Sequence, residues 1–266
     1  MSNLQNNIAK ISIITINYND LDGLKKTVES VQEQTYQDFE HIVIDGGSDD
    51  GSEVYIEKYS TRFNYSVSEP DTGVYNAMNK GIIQAQGEYL LFLNSGDSFY
   101  KKQSLENVIN DIEPYDIAYC NQMVIGKDKK YLKTYPETLS FAYFLKDNIP
   151  HQATFMKKSL FENFGVYDED LKIVADWKFF IDCICKHQVS YKYLNKTLVN
   201  FYLGGISSNP NNQRRMETEK QEILASNYKA FMQDLDNVLI YQQIINSLRR
   251  SRIIRLLVQL KFLNKF

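Results

Sequence analysis

The segment from Ser68 to Asp97 reads SEPDTGVYNAMNKGIIQAQGEYLLFLNSGD, and its pattern indicates a loop, a helix and a buried strand in succession. Apolar residues recur at helical spacing after Gly73, and the apolar run from Tyr89 to Leu93 is typical of a strand inside a sheet. Asp71 lies in the loop before the helix, and Asp97 follows the strand. This short unit therefore carries a carboxylate at each end.

Similar units precede this segment. The β-branched run from Ile11 to Ile16 is typical of a strand that is covered on both faces, and Asp20 is placed to cap the helix that follows it. The runs from His41 to Ile44 and from Tyr65 to Ser68 predict two more strands, separated by a helix that begins near Glu53. Alternating strands and helices predict right-handed βαβ units, hence an α/β fold with a Rossmann-like, mostly parallel sheet flanked by helices.

Polar side chains follow the predicted strands at the same end. Tyr18, Asp45, Asp71 and Asp97 each lie at or just beyond a strand. Ligands of open α/β sheets bind at the carboxyl ends of the strands, so we expect these four side chains to surround one cleft.

The second half of the chain predicts shorter elements. The expected strands are Ile117 to Cys120, Met123 to Ile125, Tyr131 to Thr134 and Ala153 to Met156, with edge strands at Tyr191 to Tyr193 and Leu198 to Tyr202. The expected helices are Ser140 to Leu145, Lys158 to Phe164 and Ala175 to Lys186, with Gly87 and Gly165 as residues that terminate helices. Residues 1–210 are predicted to form one domain, and residues 211–266 a helical extension.

Composition excludes several classes of protein. The 266 residues carry a net charge of -3, which gives no indication of a nucleic-acid partner. The 3 cysteines cannot all pair with one another, so structural thiols in a reducing cytosol are expected. The start of the chain lacks the pattern of a signal peptide, and no apolar run approaches the roughly 20 residues of a membrane helix.

The carboxylates suit a nucleotide-sugar ligand. Asp45 and Asp71 could accept hydrogen bonds from a base or a ribose, or else cap their own loops. Asp97 fits a ligand to Mg²⁺ or Mn²⁺ that bridges two phosphates, and the alternative is a helix cap.

Two residues further along could act on an acceptor. Asp176 lies in the first turn of a predicted helix, where the dipole favours its charged form, so it could act as a general base or serve only that dipole. His151 could contact a phosphate or the acceptor, or it could be structural, as we expect of His41 and His187.

Taken together, these motifs resemble the inverting family-2 glycosyltransferases of the GT-A fold, over about Ile11 to Asn209. Those that build bacterial capsule, O-antigen or colanic-acid polysaccharides, including lipopolysaccharide, are the most similar. The resemblance implies that ISIITINYN contributes Thr15 and Tyr18 to the donor site and that HIVIDGGSDDGS places Asp45 on the uracil or ribose.

The same resemblance assigns the remaining site residues. In SEPDTGVYNAMNKGI it implies donor contacts from Asp71, Asn79 and Lys80, with Ser95 after the next strand. On the acceptor side, PHQATF supplies His151, and the segment around Trp177 supplies the catalytic base Asp176. The family's metal motif usually holds two or more acidic residues, whereas NSGD holds Asp97 alone, so a divalent cation is expected with reduced affinity.

The implied activity is transfer of a sugar, with inversion, from a UDP-sugar to a hydroxyl of a glycan or polyprenyl-diphosphate-linked acceptor. A non-catalytic sugar-nucleotide-binding or scaffold protein of the same fold is the alternative. A nucleotidyltransferase or a dinucleotide oxidoreductase would need a glycine-rich phosphate loop after a strand, which neither NYND nor DGGS supplies.

The end of the chain is basic. No acidic residue follows Asp236, and the cations Arg249, Arg250, Arg252, Arg255, Lys261 and Lys265 are interleaved with apolar residues. A basic amphipathic helix of this kind binds anionic membrane surfaces, and the alternative is packing on protein. We therefore expect a cytoplasmic protein, peripheral on the inner face of the membrane.

Overall fold

The computed structural model describes residues 9–206, 209–260 and 262. The chain forms two compact units, Met1–Met216 and Glu217–Phe266. The strands are β1 Ile11–Asn17, β2 Phe39–Asp45, β3 Tyr65–Ser68, β4 Tyr89–Phe92, β5 Ser98–Phe99, β6 Ile117–Ile125, β7 Lys130–Lys133, β8 Thr154–Lys157 and β9 Tyr191–Tyr202. The helices are α1 Leu21–Gln32, α2 Ser52–Lys58, α3 Val74–Gln84, α4 Phe141–Phe144, α5 Lys158–Phe164, α6 Ala175–Ile181, α7 Gln213–Asn227, α8 Lys229–Arg250 and α9 Arg252–Gln259.

A single mixed sheet forms the centre of the first unit. Its order is β3-β2-β1-β4-β8-β6-β9-β5, and β7 pairs with β6. The strands β3, β2, β1 and β4 are parallel, as the sequence predicts. The second half of the sheet is mixed: β8 is antiparallel to β4 and β6, whereas β6 and β9 pair in parallel. The predicted α/β fold with a Rossmann-like, mostly parallel sheet flanked by helices is confirmed.

The strand β1 lies at the middle of the parallel half and is buried along its whole length. Its apolar residues face both sides of the sheet, because Ile11 and Ile13 join a core with β4 and β8 while helices cover the opposite face. Asn17 pairs in register with Asp45, so β1 and β2 end side by side. This register brings the following loops together.

Two local predictions about helix ends have different outcomes. Asp20 caps α1 by accepting from the Gly23 N–H, as expected. Gly87 does not terminate α3, because the helix already ends at Gln84. Glycine is needed there for another reason: a Cβ at position 87 would lie 2.6 Å from the backbone nitrogen of Ser12.

The second half of the sheet differs from the prediction in the continuity of its strands. The two strands predicted between Ile117 and Ile125 form one strand, β6, with a register irregularity near Asn121. The two predicted edge strands form the single strand β9, which pairs with β6 on one side and β5 on the other. The predicted helix from Ala175 to Lys186 is α-helical to Ile181 and then continues as a π-helical turn.

The remaining features concern cysteines and the second unit. Cys120, Cys183 and Cys185 are free thiols, as expected.

The second unit contains most of α7, together with α8 and α9. Within the described part of the chain, no helix combines the length and apolar character needed to cross a membrane.

Candidate functional site

Three loops meet where β1 ends. The Gly46 N–H donates to the Asn17 carbonyl at 2.9 Å, and the Ser95 N–H donates to the Ile16 carbonyl at 3.0 Å. The loop after β2 and the loop after β4 therefore lie on either side of the end of β1. The predicted convergence of strand ends holds for the backbone.

Asp45 lies beneath this edge and is fully buried. Its carboxylate accepts hydrogen bonds from Asn17 Nδ2 at 2.6 Å, from the N–H and hydroxyl of Ser48 at 2.9 and 2.6 Å, and from the Ser68 hydroxyl at 2.6 Å. Burial raises the pKa of Asp45, but these hydrogen bonds outweigh it and lower the pKa below the ordinary value. The structure thus shows the loop-capping contacts that were one of the two expectations for Asp45.

The exposed corner is formed by Tyr18, Gly46 and Asp71. The Tyr18 side chain is 67% exposed. A Cβ at position 46 would lie 2.5 Å from Asp71 Oδ2 and 3.2 Å from Tyr18 Cδ2, so both side chains lie directly against the glycine. Asp71 Oδ1 accepts from the Gly73 N–H at 2.9 Å, which orients the carboxylate. An exposed aromatic ring beside a fixed carboxylate is suited to stacking a base and accepting a hydrogen bond.

Two predicted donor residues lie in the interior instead. Thr15 is fully buried in β1, and its hydroxyl lies 3.0 Å from His41 Nε2. Asn79 is also buried and bonds to Tyr167 and Glu169, because it faces the chain segment that packs on α3. Lys80 is partly exposed, and its ammonium pairs with Glu69 at 2.7 Å.

Asp97 follows β4 and is almost completely buried. Its Oδ1 accepts from the Tyr202 N–H at 3.0 Å. Burial raises the pKa of Asp97 to about 7, although the Tyr202 N–H and the electrostatic influence of nearby His151 and Lys26 oppose the rise. In the same loop, Ser95 Oγ and Asn94 Oδ1 are buried and have no hydrogen-bond partner among the described residues. Such atoms are typical of a site that a ligand completes.

Asp176 lies in the first turn of α6 with its side chain 14% exposed. One oxygen, Oδ1, accepts from the Trp177 N–H at 2.8 Å and from the Tyr75 hydroxyl at 3.2 Å. The other, Oδ2, lies 3.0 Å from His151 Nδ1 and accepts from Asn148 Nδ2 at 3.4 Å. The carboxylate is therefore held in one orientation from both sides.

His151 connects Asp176 to the loop after β4. Its Nε2 lies 3.3 Å from Asn94 Nδ2, and its Nδ1 contacts Asp176. Asp176 and the Asn94–Asp97 loop consequently share one imidazole. Trp177, in contrast, is buried in the core, where its indole N–H donates to the Phe144 carbonyl at 2.8 Å, so it does not line the cleft.

Comparison with known proteins identifies the family. A family model described as Glycosyl transferase family 2 matches residues 12–167. The chain belongs to glycosyl transferase family 2.

Individual relatives agree with this family. The chain is 40% identical over 179 residues to an uncharacterized glycosyltransferase of Mycobacterium tuberculosis, covering 64% of this chain and 67% of the relative. It is 31% identical over 205 residues to a PGL/p-HBAD biosynthesis glycosyltransferase of Mycobacterium bovis, covering 74% of this chain and 78% of the relative.

Solved structures share the fold. The crystal structure of S. aureus TarS 1-349 in complex with UDP has a TM-score of 0.61 and 21% identity, covering 73% of this chain and 61% of that chain. The mannosyltransferase PcManGT from Pyrobaculum calidifontis, in complex with GDP-Man and Mn²⁺, has a TM-score of 0.55 and 14% identity, covering 71% and 56%. The predicted GT-A fold is confirmed by these likenesses. The chain spans about 60% of the TarS chain that it matches.

For a family 2 member, the metal-binding residues here are few. Among the residues that the structure describes, no group of three or more His, Cys, Asp or Glu side chains could hold a metal ion. Mg²⁺ is often held by one or two carboxylates together with water and substrate phosphates. Asp97 therefore fits an ion shared with a diphosphate, and it does not fit a site made of protein ligands alone.

Sequence reasoning missed three neutral residues of the candidate site, namely Tyr75, Asn94 and Asn148. They are found only through their contacts with Asp176 or His151, because an uncharged hydrogen-bonding residue gives no signal in a single sequence. Tyr75 is the most buried of these contacts, and burial followed by the nearby Asp176 raises its pKa well above the ordinary value. It therefore stays protonated, and its single proton is shared between the Ile173 carbonyl at 2.7 Å and Asp176 Oδ1 at 3.2 Å.

Proposed function

We propose that this family 2 member transfers a sugar from a UDP-sugar to a hydroxyl of a glycan acceptor, with inversion at the anomeric carbon. The observation that carries the proposal is the bridge through His151. It connects Asp176, at 3.0 Å, to Asn94, at 3.3 Å, and thereby joins a carboxylate base to the loop that holds Asp97. A base and a phosphate-binding loop at one sheet edge are the parts that glycosyl transfer requires.

The donor side uses the corner of Tyr18 and Asp71. The exposed Tyr18 ring stacks on the uracil, and the Asp71 carboxylate accepts a hydrogen bond from the base or ribose. The diphosphate then lies toward Ser95, whose buried hydroxyl lacks a partner among the described residues. The binding of UDP and UDP-GlcNAc by TarS supports this choice of nucleotide.

The acceptor side uses Asp176 as the general base. The acceptor hydroxyl gives its proton to the Asp176 carboxylate while its oxygen forms a bond to the anomeric carbon. The bond from that carbon to the diphosphate breaks on the opposite face, so the configuration inverts. His151, Tyr75 and Asn148 orient the carboxylate through the contacts described above.

A divalent cation, Mg²⁺ or Mn²⁺, is proposed at Asp97 together with the donor phosphates. When bound, it would supply positive charge to the leaving diphosphate. The Mn²⁺ in the PcManGT complex supports this choice.

The acceptor is proposed to be linked to a lipid, in the synthesis of a cell-surface polysaccharide such as capsule or lipopolysaccharide. The relative named as a PGL/p-HBAD biosynthesis glycosyltransferase supports a role in a biosynthetic glycosylation. The second unit exposes Ile253, Leu256, Leu260 and Phe262, and no acidic residue follows Asp236. We infer peripheral binding to the inner, anionic membrane face; Lys261 and Lys265, which contribute to this charge, lie outside the described residues.

Membrane binding is tested by sedimentation with vesicles of anionic phospholipid. The whole chain should sediment with the vesicles, and a chain that ends before Val238 should stay in solution. Equal sedimentation of both would exclude the C-terminal segment as the membrane contact.

The transfer activity is tested with Asp176→Asn. Asparagine keeps the size of the side chain and can keep the hydrogen bonds that Oδ1 accepts, but it cannot accept the proton, so turnover should fall by roughly 10²- to 10⁴-fold. Affinity for UDP, measured by calorimetry, should stay within about twofold, since Asp176 is not part of the Tyr18 corner. Unchanged turnover would refute the assignment of the base, and an absence of turnover in the unmodified chain, despite UDP-sugar binding, would favour the non-catalytic alternative.

A further inference from the structure

The Asn94–Asp97 loop is a tight turn. The Asp97 N–H donates to the Asn94 carbonyl at 3.1 Å, and Gly96 has a φ of 93°. A hydrogen bond between the first and fourth residues, with a positive φ at the third, is typical of a type II turn and favours glycine at that position. The loop sequence therefore determines its local shape, whereas its place relative to the cleft depends on contacts with other elements.

Two consecutive residues of α1 hold this loop. Thr27 is fully buried, and its hydroxyl lies 2.7 Å from the Asp97 carbonyl oxygen and 3.2 Å from the Asn94 carbonyl oxygen. One hydroxyl proton is thus shared between the two ends of the turn. The ammonium of Lys26 donates to the Gly96 carbonyl at 2.9 Å. Three of the four carbonyl groups in the loop are therefore bonded to this pair of side chains.

Lys26 also connects the loop to β9. Its ammonium lies 2.7 Å from the centroid of the Tyr202 ring, and the Tyr202 N–H donates to Asp97 Oδ1 at 3.0 Å. A cation over the face of an aromatic ring is attracted to it. Lys26 thus contacts both the turn and the residue that orients the Asp97 carboxylate.

Gln34, just beyond α1, makes similar backbone contacts away from the loop. It is 3% exposed, and its side chain donates to the Lys101 carbonyl at 2.9 Å and accepts from the Leu105 N–H at 3.1 Å. Gln34 therefore provides a comparison for the loss of a buried contact that does not involve the loop.

We propose that Lys26 and Thr27 are positioning residues that hold the Asn94–Asp97 loop in the arrangement that receives the donor diphosphate and its cation. The inference rests on the proposed function, which places the diphosphate beside Ser95 and Asp97. Because these contacts order the loop before the ligand arrives, the ligand does not have to order it, and binding is tighter. The pair acts through the loop and not on the reacting atoms.

Five variants separate positioning from charge and from stability. Thr27→Val removes the hydroxyl but keeps the shape and charge of the side chain, and Thr27→Ser restores the hydroxyl. Lys26→Met removes the ammonium. Lys25→Met removes the same charge from the neighbouring position, where the ammonium contacts Asp22 at 3.5 Å. Gln34→Leu removes a buried contact elsewhere, and thermal unfolding checks that each variant is folded.

The order of the loop is measured by hydrogen exchange, without nucleotide or metal. The Ser95 N–H is bonded to the Ile16 carbonyl at 3.0 Å, so its exchange reports opening of the loop. In Thr27→Val and Lys26→Met, the loop amides should exchange about fivefold faster or more, as expected for the loss of a hydrogen bond. Thr27→Ser and the two control variants should keep the exchange rate of the unmodified chain.

The consequence for the ligand is measured by calorimetry with UDP, in the presence and absence of Mg²⁺. With Mg²⁺, the Kd for UDP should rise about five- to tenfold in Thr27→Val and Lys26→Met. Without Mg²⁺, it should stay within about twofold, because the Tyr18 corner does not depend on the loop. Thr27→Ser should bind UDP and Mg²⁺ like the unmodified chain.

The outcomes separate this inference from the proposed function. Loop exchange and UDP binding in folded Thr27→Val that match the unmodified chain would overturn the inference, and so would equal losses in Gln34→Leu. A loss confined to Lys26→Met would assign the effect to charge alone and overturn it too. UDP binding that does not respond to Mg²⁺ in the unmodified chain would overturn the inference and the proposed cation but not sugar transfer. Absence of UDP binding by the unmodified chain would remove the proposed function as well.

Discussion

The donor corner makes a quantitative prediction through Gly46→Ala. A Cβ at this position would lie 2.5 Å from Asp71 Oδ2 and 3.2 Å from Tyr18 Cδ2, whereas comfortable contacts require about 3.5 Å. The Asp71 carboxylate must therefore move by about 1 Å. Gly46 does not have a left-handed backbone, so alanine adds no backbone strain and the effect is confined to these side chains.

The expected change in UDP affinity follows from the hydrogen bonds that Asp71 would lose. Moving Asp71 breaks its hydrogen bond from the Gly73 N–H, which contributes about 1 kcal/mol to stability. It also misplaces the carboxylate that accepts from the donor, a charge-assisted bond of about 1.5–3 kcal/mol. We expect the Kd for UDP to rise by roughly 10- to 150-fold with little loss of stability.

Calorimetry with UDP measures this change, and Asp71→Asn provides the comparison. Because both variants act through one carboxylate, their effects on Kd should not add in the double variant. A folded Gly46→Ala protein that binds UDP as tightly as the unmodified chain would refute the donor corner.

Three further predictions concern stability and the base. Burial lowers the pKa of His41 from 6.5 to about 3, so the unfolded chain binds its proton first. Stability should be full above pH 6.5 and fall on acidification toward pH 3, by at most about 1.4 kcal/mol per pH unit, and this loss should be absent from urea titrations of His41→Phe. Gly87→Ala should destabilise by about 1–3 kcal/mol in urea, because its Cβ meets the Ser12 backbone; a stability equal to that of the unmodified chain would contradict the close approach. Tyr75→Phe should lower kcat about fivefold at constant Kd for UDP, as expected for the loss of one hydrogen bond to Asp176, and an unchanged kcat would show that the bond does not position the base.

The parallel half of the fold was predictable because its strands are continuous apolar runs between polar turns. The continuity of β6 was not predictable, because the polar residues Asn121 and Gln122 resemble a turn between two strands. In the structure their amides are satisfied inside the sheet, by Asn195 at 3.0 Å and Gln152 at 2.7 Å. Partners distant in sequence supply those bonds, and a local pattern carries no information about them.

The site shows the same limit. Because Asp45 follows a predicted strand, the sequence placed it at the edge of the sheet where the loops after β1, β2 and β4 meet. The sequence could not show whether its carboxylate is buried in its own loop or exposed. That difference depends on Ser48 and Ser68, which turn toward Asp45 only in the folded chain. The place of Asp71, by contrast, followed from the loop and helix pattern alone.

A crystal structure of the chain with UDP and Mg²⁺ tests the central claim most directly. The account predicts the uracil against Tyr18 and Asp71, with the diphosphate beside Ser95 and Asp97 and its terminal phosphate on the side of Asp176. A nucleotide bound elsewhere, with Tyr18 and Asp71 free of contact, would contradict it.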